Sequence, residues 1–327
     1  MLIRKICVLL AISKCWVTVM PFHIVAPKTS SRSNHLSIYQ SQDPSSESEK
    51  DIESTSLTRR EVAILAIGGL AYGKVVSVAI SKIKRGDAYP PEHESRVANV
   101  FKRTLVEAAA AKIDQDRPLR ILEVGIGSSC RTIMRGLYDD AIAALSKSDF
   151  SAGIDLVGAD IDAPSQDTIK DAKERLIGSS DFAGPLSLNV VSADLVEGLS
   201  FPDGYFDAIT CSLVLCSVSD QPAAVREINR LLNRKGGTLG YVEHVAINLE
   251  NESEKDQSFM EFQQRTLDPL QQLVAHNCHL HRDTDRLISE LFGVQRGVGE
   301  ILQSERFFVN DMWPVSCQCS GVVRLNA

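Results

Sequence analysis

An acid followed by two glycines stands where a buried strand is predicted to end. The run LRILEVGIGSSC covers residues 119–130 and contains Glu123, Gly125 and Gly127. Glycine allows a tight turn and lets the backbone approach a ligand where a Cβ would collide. A carboxylate here suits a cationic ligand better than a pyrophosphate, and Cys130 occupies the position of the third glycine in the dinucleotide pattern. The pattern therefore favours a site for a cationic small molecule.

Two of the following predicted strands also end in carboxylates. Asp160 and Asp162 end the run IDLVGADID, and Asp194 ends LSLNVVSAD. A carboxylate can accept hydrogen bonds from two hydroxyl groups or from an amino group. Any one of these acids could simply cap the helix that follows it. Acids after three successive strands, together with the glycines, favour one shared ligand site.

The elements that must position these acids alternate between strands and helices. Apolar runs predict five strands, which are LRILEV, IDLVGADI, LSLNVVSAD, FDAITCSLVLCSV and GTLGYVEHV. Helices are predicted between them, one over residues 130–148 and one that ends at Gly236 and Gly237. A helix before the first strand carries apolar residues on one side, namely Val97, Val100, Phe101, Leu105 and Val106. The alternation predicts an α/β fold with a doubly wound sheet that binds ligands at the carboxyl ends of its strands.

The sequence resembles the class I S-adenosylmethionine (SAM)-dependent methyltransferases. EVGIGSS is similar to the first motif of that family, with Ser129 in place of a third glycine. The resemblance implies methyl transfer from SAM, which is cationic, and a mostly parallel, seven-stranded Rossmann-like sheet with an antiparallel C-terminal strand. It implies that Asp160 binds ribose hydroxyls and that Asp194 and the N–H of Leu195 bind adenine. The implied cofactor-binding residues are Glu123, Gly125, Gly127, Ser129, Asp160, Ile161, Asp194, Leu195 and Ser212.

Three segments resemble a narrower group, the methyltransferase-like 7 thiol methyltransferases of the methyltransferase type 11 class. They are CSLVLCSVSDQ, YVEHV and FQQRTLDPLQQLVAHNCHLHRDT, and the resemblance extends from about Tyr89 to Ala327. Members of the wider group act on thiols, lipids or quinones, so we expect a small, apolar acceptor. Two alternatives stay open, an NAD(P)-dependent oxidoreductase and a non-catalytic SAM-binding protein.

A lid over the acceptor is expected in residues 257–280. Apolar residues lie along one side of a predicted helix there, with Pro269 as a break; they are Phe259, Phe262, Leu267, Leu270 and Leu273. Glu243 and His244 end the fifth predicted strand and are the candidate bases for an acceptor proton. A hydrogen-bonded structural histidine is the alternative interpretation of His244.

The cysteines give no metal signature. Cys211 and Cys216 are interpreted as buried packing residues. The segments CHLH (residues 278–281) and CQC (residues 317–319) lack the C-x₂₋₄-C spacing typical of structural zinc, so no metal site is predicted from them.

The first 60 residues differ in composition from the rest of the chain. A short apolar run follows Arg4 and Lys5, and residues 1–42 contain no Asp or Glu. This order predicts a leader for plastid delivery, with a secretory or endoplasmic reticulum signal as the alternative. An acidic, Ser-rich linker follows it.

Residues 61–85 form a separate apolar segment before the domain. The stretch Val62–Ile80 favours membrane association, while a twin-arginine signal and an amphipathic helix packed on the domain are the alternatives. Residues 86–327 are the predicted methyltransferase domain. The net charge of −7 argues against a nucleic-acid partner.

Overall fold

The structure, a computed structural model, describes residues 59–84, 89–112, 114, 116–146, 152–178, 182 and 184–326. Helix α1 spans Arg59–Lys84. The compact unit described below begins within that helix, at Tyr72, and runs to Ala327. Of the leader and linker predicted for residues 1–60, residues 1–58 lie outside the described residues. Where the structure describes the chain, no helix has both the length and the apolar character needed to cross a membrane.

A single mixed sheet organises the unit. Its strands are β1 Leu119–Val124, β2 Ile154–Asp160, β3 Leu186–Ser192, β4 Ala208–Ser212, β5 Thr238–His244, β6 Gly299–Phe308 and β7 Cys317–Leu325. They lie in the order β3-β2-β1-β4-β5-β7-β6. The first five strands pair in parallel, and β7 is antiparallel to both β5 and β6. The predicted doubly wound, seven-stranded sheet with an antiparallel C-terminal strand is confirmed.

Helices cover both faces of the sheet. They are α2 Pro91–Ala111, α3 Arg131–Met134, α4 Asp139–Ser146, α5 Gln166–Gly178, α6 Gln221–Leu231, α7 Ser258–Val274 and α8 Thr284–Leu291. Side chains of β1 alternate between the two cores, so that Leu119 and Ile121 pack with α2, α4 and α5, while Leu122 and Val124 pack with α6 and α8. Because both faces are buried, the central strands read as nearly continuous apolar runs.

The helix predicted over residues 130–148 is broken. Helix α3 ends after one turn, because Gly136 takes a left-handed backbone (φ +72°). The N–H of Leu137 then donates to the carbonyl of Thr132 (2.9 Å) and that of Gly136 to Ile133 (2.9 Å), a bond pattern that ends helices. Helix α4 begins three residues later, and residues 147–151 lie outside the described residues.

Two further details of the predicted helices are wrong. Helix α6 ends at Leu231 rather than at the glycines, because Leu232 is extended and pairs with Phe206 beside β4. On α2, Val106 is 39% exposed, whereas the other four residues of the predicted apolar side are fully buried. Val106 follows Leu105 directly, and one helical step of 100° carries it off the buried face.

A buried ion pair joins the start of β4 to the start of β1. Asp207 is 3% exposed and accepts two hydrogen bonds of 2.6 Å from the guanidinium of Arg117. It also accepts the backbone N–H of Arg120 on β1 (3.0 Å) and the side-chain amide of Asn233 (3.3 Å). The carboxylate therefore fixes the register at the end of the sheet opposite the strand ends that carry Glu123 and Asp160.

We expect Asp207→Ala to lower the free energy of unfolding of the full chain by about 3 kcal/mol, because the charge of Arg117 and two further donors lose their partner. Urea denaturation followed by circular dichroism measures the change. Asp203→Ala is the control: Asp203 also lies 2.6 Å from an arginine, Arg230, but its side chain is 76% exposed. That variant should lose less than about 1 kcal/mol. Equal losses in the two variants would contradict the structural role of Asp207.

Candidate active site

A cavity of about 880 Å³ opens at the carboxyl ends of β1 to β4. This volume is within the range of small-molecule sites. All nine predicted cofactor-binding residues line its wall, namely Glu123, Gly125, Gly127, Ser129, Asp160, Ile161, Asp194, Leu195 and Ser212. The sheet brings them together because the ends of parallel strands meet at one edge.

The loop after β1 needs its two glycines for different reasons. Gly125 has φ +75°, and an added Cβ would lie 2.1 Å from a methyl group of Val214. Gly127 has φ +72° and donates its N–H to Oδ2 of Asp160 (2.8 Å). Ser129 does not have a left-handed backbone, whereas the next residue, Cys130, does (φ +48°). Serine is therefore compatible with the position of the missing third glycine.

Glu123 is a buried acid of the cavity wall, and only one of its two carboxylate oxygens has a hydrogen-bond partner among the described residues. It is 2% exposed, and Oε1 accepts the hydroxyl of Thr132 at 2.5 Å. Oε2 has no hydrogen-bond partner within the described part of the chain. Burial raises the pKa of Glu123 from 4.5 to about 7. A cation beside Oε2 would stabilise the ionised form, which is what a ligand with an ammonium or sulfonium group provides.

Asp160 holds the glycine loop and still has acceptor capacity. Oδ1 accepts the N–H of Asp162 and Oδ2 that of Gly127, both at 2.8 Å. Each carboxylate oxygen has a second lone pair, so two hydroxyl groups could still be bound. Burial raises the pKa of Asp160. Ile161 lies beside it with 64% of its surface exposed, which offers an apolar contact to a flat ring.

Asp194 and Leu195 stand at the end of β3. Oδ1 of Asp194 accepts the N–H of Val196 at 2.8 Å, which fixes the carboxylate on the cavity wall. Leu195 is buried below it. Their placement agrees with an adenine site, and the assignment stays a prediction.

Arg131 and Tyr89 line the same cavity and were missed from the sequence. The guanidinium of Arg131 lies 4.3 Å from the centre of the Tyr89 ring and donates to Glu94 at 2.8 Å. It is a buried cation beside the glycine loop. The position of Arg131, directly after that loop, is the signal that could have identified it.

A buried histidine supports the end of β4. His93 on α2 has Nδ1 2.8 Å from the side-chain oxygen of Gln318 and Nε2 3.4 Å from Oγ of Ser212. Burial lowers the pKa of His93 to about 4, so the ring is neutral near pH 7. It fixes Ser212, a predicted cofactor residue, from behind the cavity wall.

The C-terminal end of α7 and the residues after it form another part of the cavity wall. Leu273 is 82% exposed and lines the cavity with Gln272, His276 and Asn277. His276 and Asn277 both have left-handed backbones (φ +51° and +61°), which turn the chain sharply at this end of the helix. This placement agrees with the expected acceptor lid.

One expectation for α7 is wrong. The helix continues through Pro269, which lies on its exposed side, where water can replace the lost N–H donor. Along the predicted apolar side, Leu267 and Leu270 pack, whereas Phe259 and Phe262 are 42% and 38% exposed. The fully buried residues of α7 are glutamines, Gln263, Gln264 and Gln271.

Glu243 and His244 lie beside the cavity but are not part of its wall. Oε1 of Glu243 accepts the N–H groups of Val214 (2.9 Å) and Leu215 (3.1 Å), and so holds the turn after β4. His244 is 1% exposed, and its Nε2 lies 3.0 Å from Sγ of Cys278. Neither side chain is placed to take a proton from a molecule in the cavity as described, and their catalytic role stays a prediction.

Three residues that are distant in sequence form what we call the Cys–His–Cys cluster: Cys216, His244 and Cys278. Their sulfur and nitrogen atoms all lie within 4.8 Å of one another. The contacts from Cys216 and His244 hold the pKa of Cys278 well below the usual value of a thiol. Cys216 is buried, as predicted, and packs in an apolar cluster with Tyr72 and Ala275. Separate positions along the chain gave no spacing signal for the cluster.

Three further cysteines lie where they were predicted. Cys211 packs in the core, as do Cys317 and Cys319 on one face of β7. Cys278 is paired with His244 rather than with His281, which lies 3.8 Å from Glu261.

Comparison with known proteins gives a match to a central segment of the chain. Residues 142–239 match a protein family described as a methyltransferase domain. Human thiol S-methyltransferase TMT1A is 38% identical over 82 residues, which are 25% of this chain and 30% of that protein. Rat thiol S-methyltransferase TMT1B is 37% identical over 82 residues, with the same shares. The match thus covers about a third of the length of these curated relatives.

Solved structures give weaker likenesses. A SAM-dependent methyltransferase from Methanosarcina mazei is 18% identical, with 64% of this chain and 93% of that chain covered and a TM-score of 0.40. The YcgJ protein from Bacillus subtilis is 15% identical, with 70% and 98% covered and a TM-score of 0.41. These scores carry no functional argument. The sequence match confirms the predicted resemblance: residues 142–239 match the methyltransferase domain family.

Proposed function

We propose that this protein transfers the methyl group of SAM to a small, apolar thiol. The observation that carries the cofactor assignment is the buried carboxylate of Glu123, whose Oε2 has no partner among the described residues and which lines the cavity. A buried charge without a partner is costly, and a cationic ligand removes that cost. A phosphate-bearing dinucleotide would instead place negative charge beside this acid, which counts against the oxidoreductase alternative.

Each part of SAM has a chemically suitable residue on the wall. Glu123 would hold the ammonium group, and the guanidinium of Arg131 the carboxylate. Asp160 would accept the two ribose hydroxyls. Asp194 and the N–H of Leu195 would bind the adenine edge, with Ile161 against its face. The roles of Asp160, Asp194 and Leu195 follow from the resemblance. Those of Glu123, Arg131 and Ile161 rest on the charge or exposure of each side chain and its position on the cavity wall.

SAM, when bound, supplies a methyl group on a positively charged sulfur, and an acceptor must approach that carbon in line. The contribution of the chain is to hold both reactants and to exclude water. Val214, Val218 and Leu273 give the cavity an apolar wall. An apolar environment favours methyl transfer, because the positive charge on the sulfur is lost in that step.

The thiol acceptor is the finer part of the proposal. The matched relatives are named thiol S-methyltransferases, and the apolar wall suits a small hydrophobic molecule. Lipid and quinone-like acceptors are the other members of the predicted class. Membrane association through residues 62–80 and plastid delivery also stay predictions, and fusion of residues 1–60 to a fluorescent protein tests the second.

The acceptor class is tested by incubating the full chain with SAM and 1-octanethiol, 1-octanol or a short-chain quinol. We expect the methyl thioether to form and the two oxygen compounds to stay unmodified, with mass spectrometry as the readout. Methylation of the quinol or the alcohol alone would move the acceptor to oxygen. Binding of SAM without any product would favour a non-catalytic SAM-binding protein.

The ribose assignment predicts that Asp160→Asn weakens SAM binding at least about 10-fold, because one charge-assisted acceptor is lost. Titration calorimetry on the full chain measures the affinity, with NADH as a second ligand. Asp171→Asn on α5 is the control, because Asp171 is not part of the cavity wall. Unchanged SAM affinity in Asp160→Asn would remove the ribose assignment, and binding of NADH alone would support an oxidoreductase.

Glu123→Gln should make the ligand-free protein more stable at alkaline pH. The pKa of Glu123 is raised by burial to about 7, so its stabilising contribution is complete below pH 4.5 and is lost as the pH rises through 7. Glutamine keeps an acceptor for Thr132 without the charge. At pH 8 the variant should be more stable by up to about 3 kcal/mol, with no difference near pH 4.

Urea unfolding of both proteins across this pH range measures the effect. Glu227→Gln is the control with the opposite sign, because its pKa is lowered by its bonds to Arg230 and Leu199 despite partial burial. That variant should lose stability at neutral pH. Parallel pH profiles for Glu123→Gln and the parent would contradict the buried-charge interpretation. The same substitution should weaken SAM binding.

A further inference from the structure

The Cys–His–Cys cluster joins three separate parts of the chain at one buried point. Cys216 lies in the turn after β4, His244 is the last residue of β5, and Cys278 follows α7. Their exposed fractions are 2%, 1% and 8%. No member lines the cavity, so the proposed methyl transfer does not account for the cluster.

Backbone bonds place the three residues independently of their side chains. The turn that carries Cys216 is held by the carboxylate of Glu243, the neighbour of His244. The N–H of His279 donates to the carbonyl of Cys216 at 2.9 Å, which brings Cys278 to the same turn. The fold therefore preorganises the donor atoms.

As a metal-free group, the cluster is poorly satisfied. Nδ1 of His244 is buried and has no partner in the part of the chain that the structure describes. Nε2 contacts only sulfur (Cys278, 3.0 Å), and the sulfur of Cys216 has the hydroxyl of Ser217 at 3.4 Å. Sulfur makes weak hydrogen bonds, so burying an imidazole against two thiols gains little to offset its desolvation.

We propose that Cys216, His244 and Cys278 bind one zinc ion, and that this ion links the two loops that form the cavity wall. Two thiolates and one imidazole are a donor set that zinc prefers. The two thiolate charges balance the charge of the ion, which makes a buried site neutral. Hard cations such as Mg²⁺ and Ca²⁺ require oxygen donors, which the cluster lacks.

The geometry fits a tetrahedral ion. Zinc–sulfur and zinc–nitrogen bonds of about 2.3 and 2.0 Å separate the donors by about 3.5 to 3.8 Å. The donors of the cluster lie within 4.8 Å of one another, so small side-chain rotations are sufficient. Three protein donors leave the fourth position to a water molecule.

A second set of contacts supports the site. The side-chain amide of Gln271 donates to the sulfur of Cys278 at 3.5 Å, and the hydroxyl of Tyr72 donates to Gln271 at 2.6 Å. Hydrogen bonds of this kind orient and stabilise a metal-bound thiolate. They also connect the cluster to α1, from Tyr72 onward.

The position of the cluster gives the ion a structural consequence. Val214 and Ser217, close to Cys216, line the cavity, as do His276 and Asn277, close to Cys278. The side-chain amide of Asn277 donates to the carbonyl of Ser217 at 3.0 Å, and an ion bound between Cys216 and Cys278 would hold these two parts of the wall together more firmly.

The first test is the metal content of the full chain, expressed without a histidine tag in zinc-supplemented medium and purified under reducing conditions without chelators. We expect about one zinc ion per chain, measured by inductively coupled plasma mass spectrometry. Cys216→Ser, Cys278→Ser and His244→Gln should each lose most of it. Cys319→Ser, which alters a buried cysteine of the core outside the cluster, should retain it.

A second measurement does not depend on the variants folding. Zinc is removed from the parent protein, and cobalt is added while circular dichroism reports the fold. We expect visible d–d bands and near-ultraviolet thiolate-to-cobalt charge-transfer bands. These bands should disappear when added zinc displaces the cobalt. A folded parent protein that takes up neither metal overturns the proposal, as does a disulfide between Cys216 and Cys278 in the reduced preparation. Both readouts are independent of SAM binding and of activity.

Discussion

The site depends on carboxylates that accept backbone N–H groups from a neighbouring loop or strand. Parallel strands are joined by long crossovers, so no tight turn fixes one strand end to the next. Asp160 at the end of β2 binds Gly127 of the loop after β1, and Glu243 near the end of β5 binds Val214 of the turn after β4. At the N-terminal ends of the strands, Asp207 before β4 accepts the backbone N–H of Arg120 on β1. The bonds of Asp160 and Glu243 position two parts of the cavity wall.

The cavity wall is also where the chain accepts unfavourable conformations. Leu213, His276 and Asn277 have left-handed backbones although they are not glycine, and all three line the cavity. Each such residue costs of the order of 1 kcal/mol. Together with the oxygen of Glu123 that has no partner in the described part of the chain, these conformations make the cavity wall a costly part of the ligand-free fold.

The C-terminal ends of β4 and β5 connect the cavity with the Cys–His–Cys cluster. Consecutive residues of a strand point to opposite faces, so Glu243 and His244 act on different partners. Glu243 positions the turn that ends β4, and His244 contacts Cys278 after α7. A change at either residue is therefore expected to reach the cavity through its walls, although neither side chain lines it.

The sequence by itself determined the sheet and the cofactor edge of the cavity, because strand-end acids and glycines are local patterns and parallel topology brings strand ends together. It could not determine the break at Gly136 or the exposed side of Val106, which depend on turn bonds and on packing against the sheet. Only the tertiary structure showed that Tyr89, more than 30 residues before the glycine loop, lines the same wall. It alone formed the Cys–His–Cys cluster, because its members have no common spacing and meet only when β4, β5 and α7 are packed together.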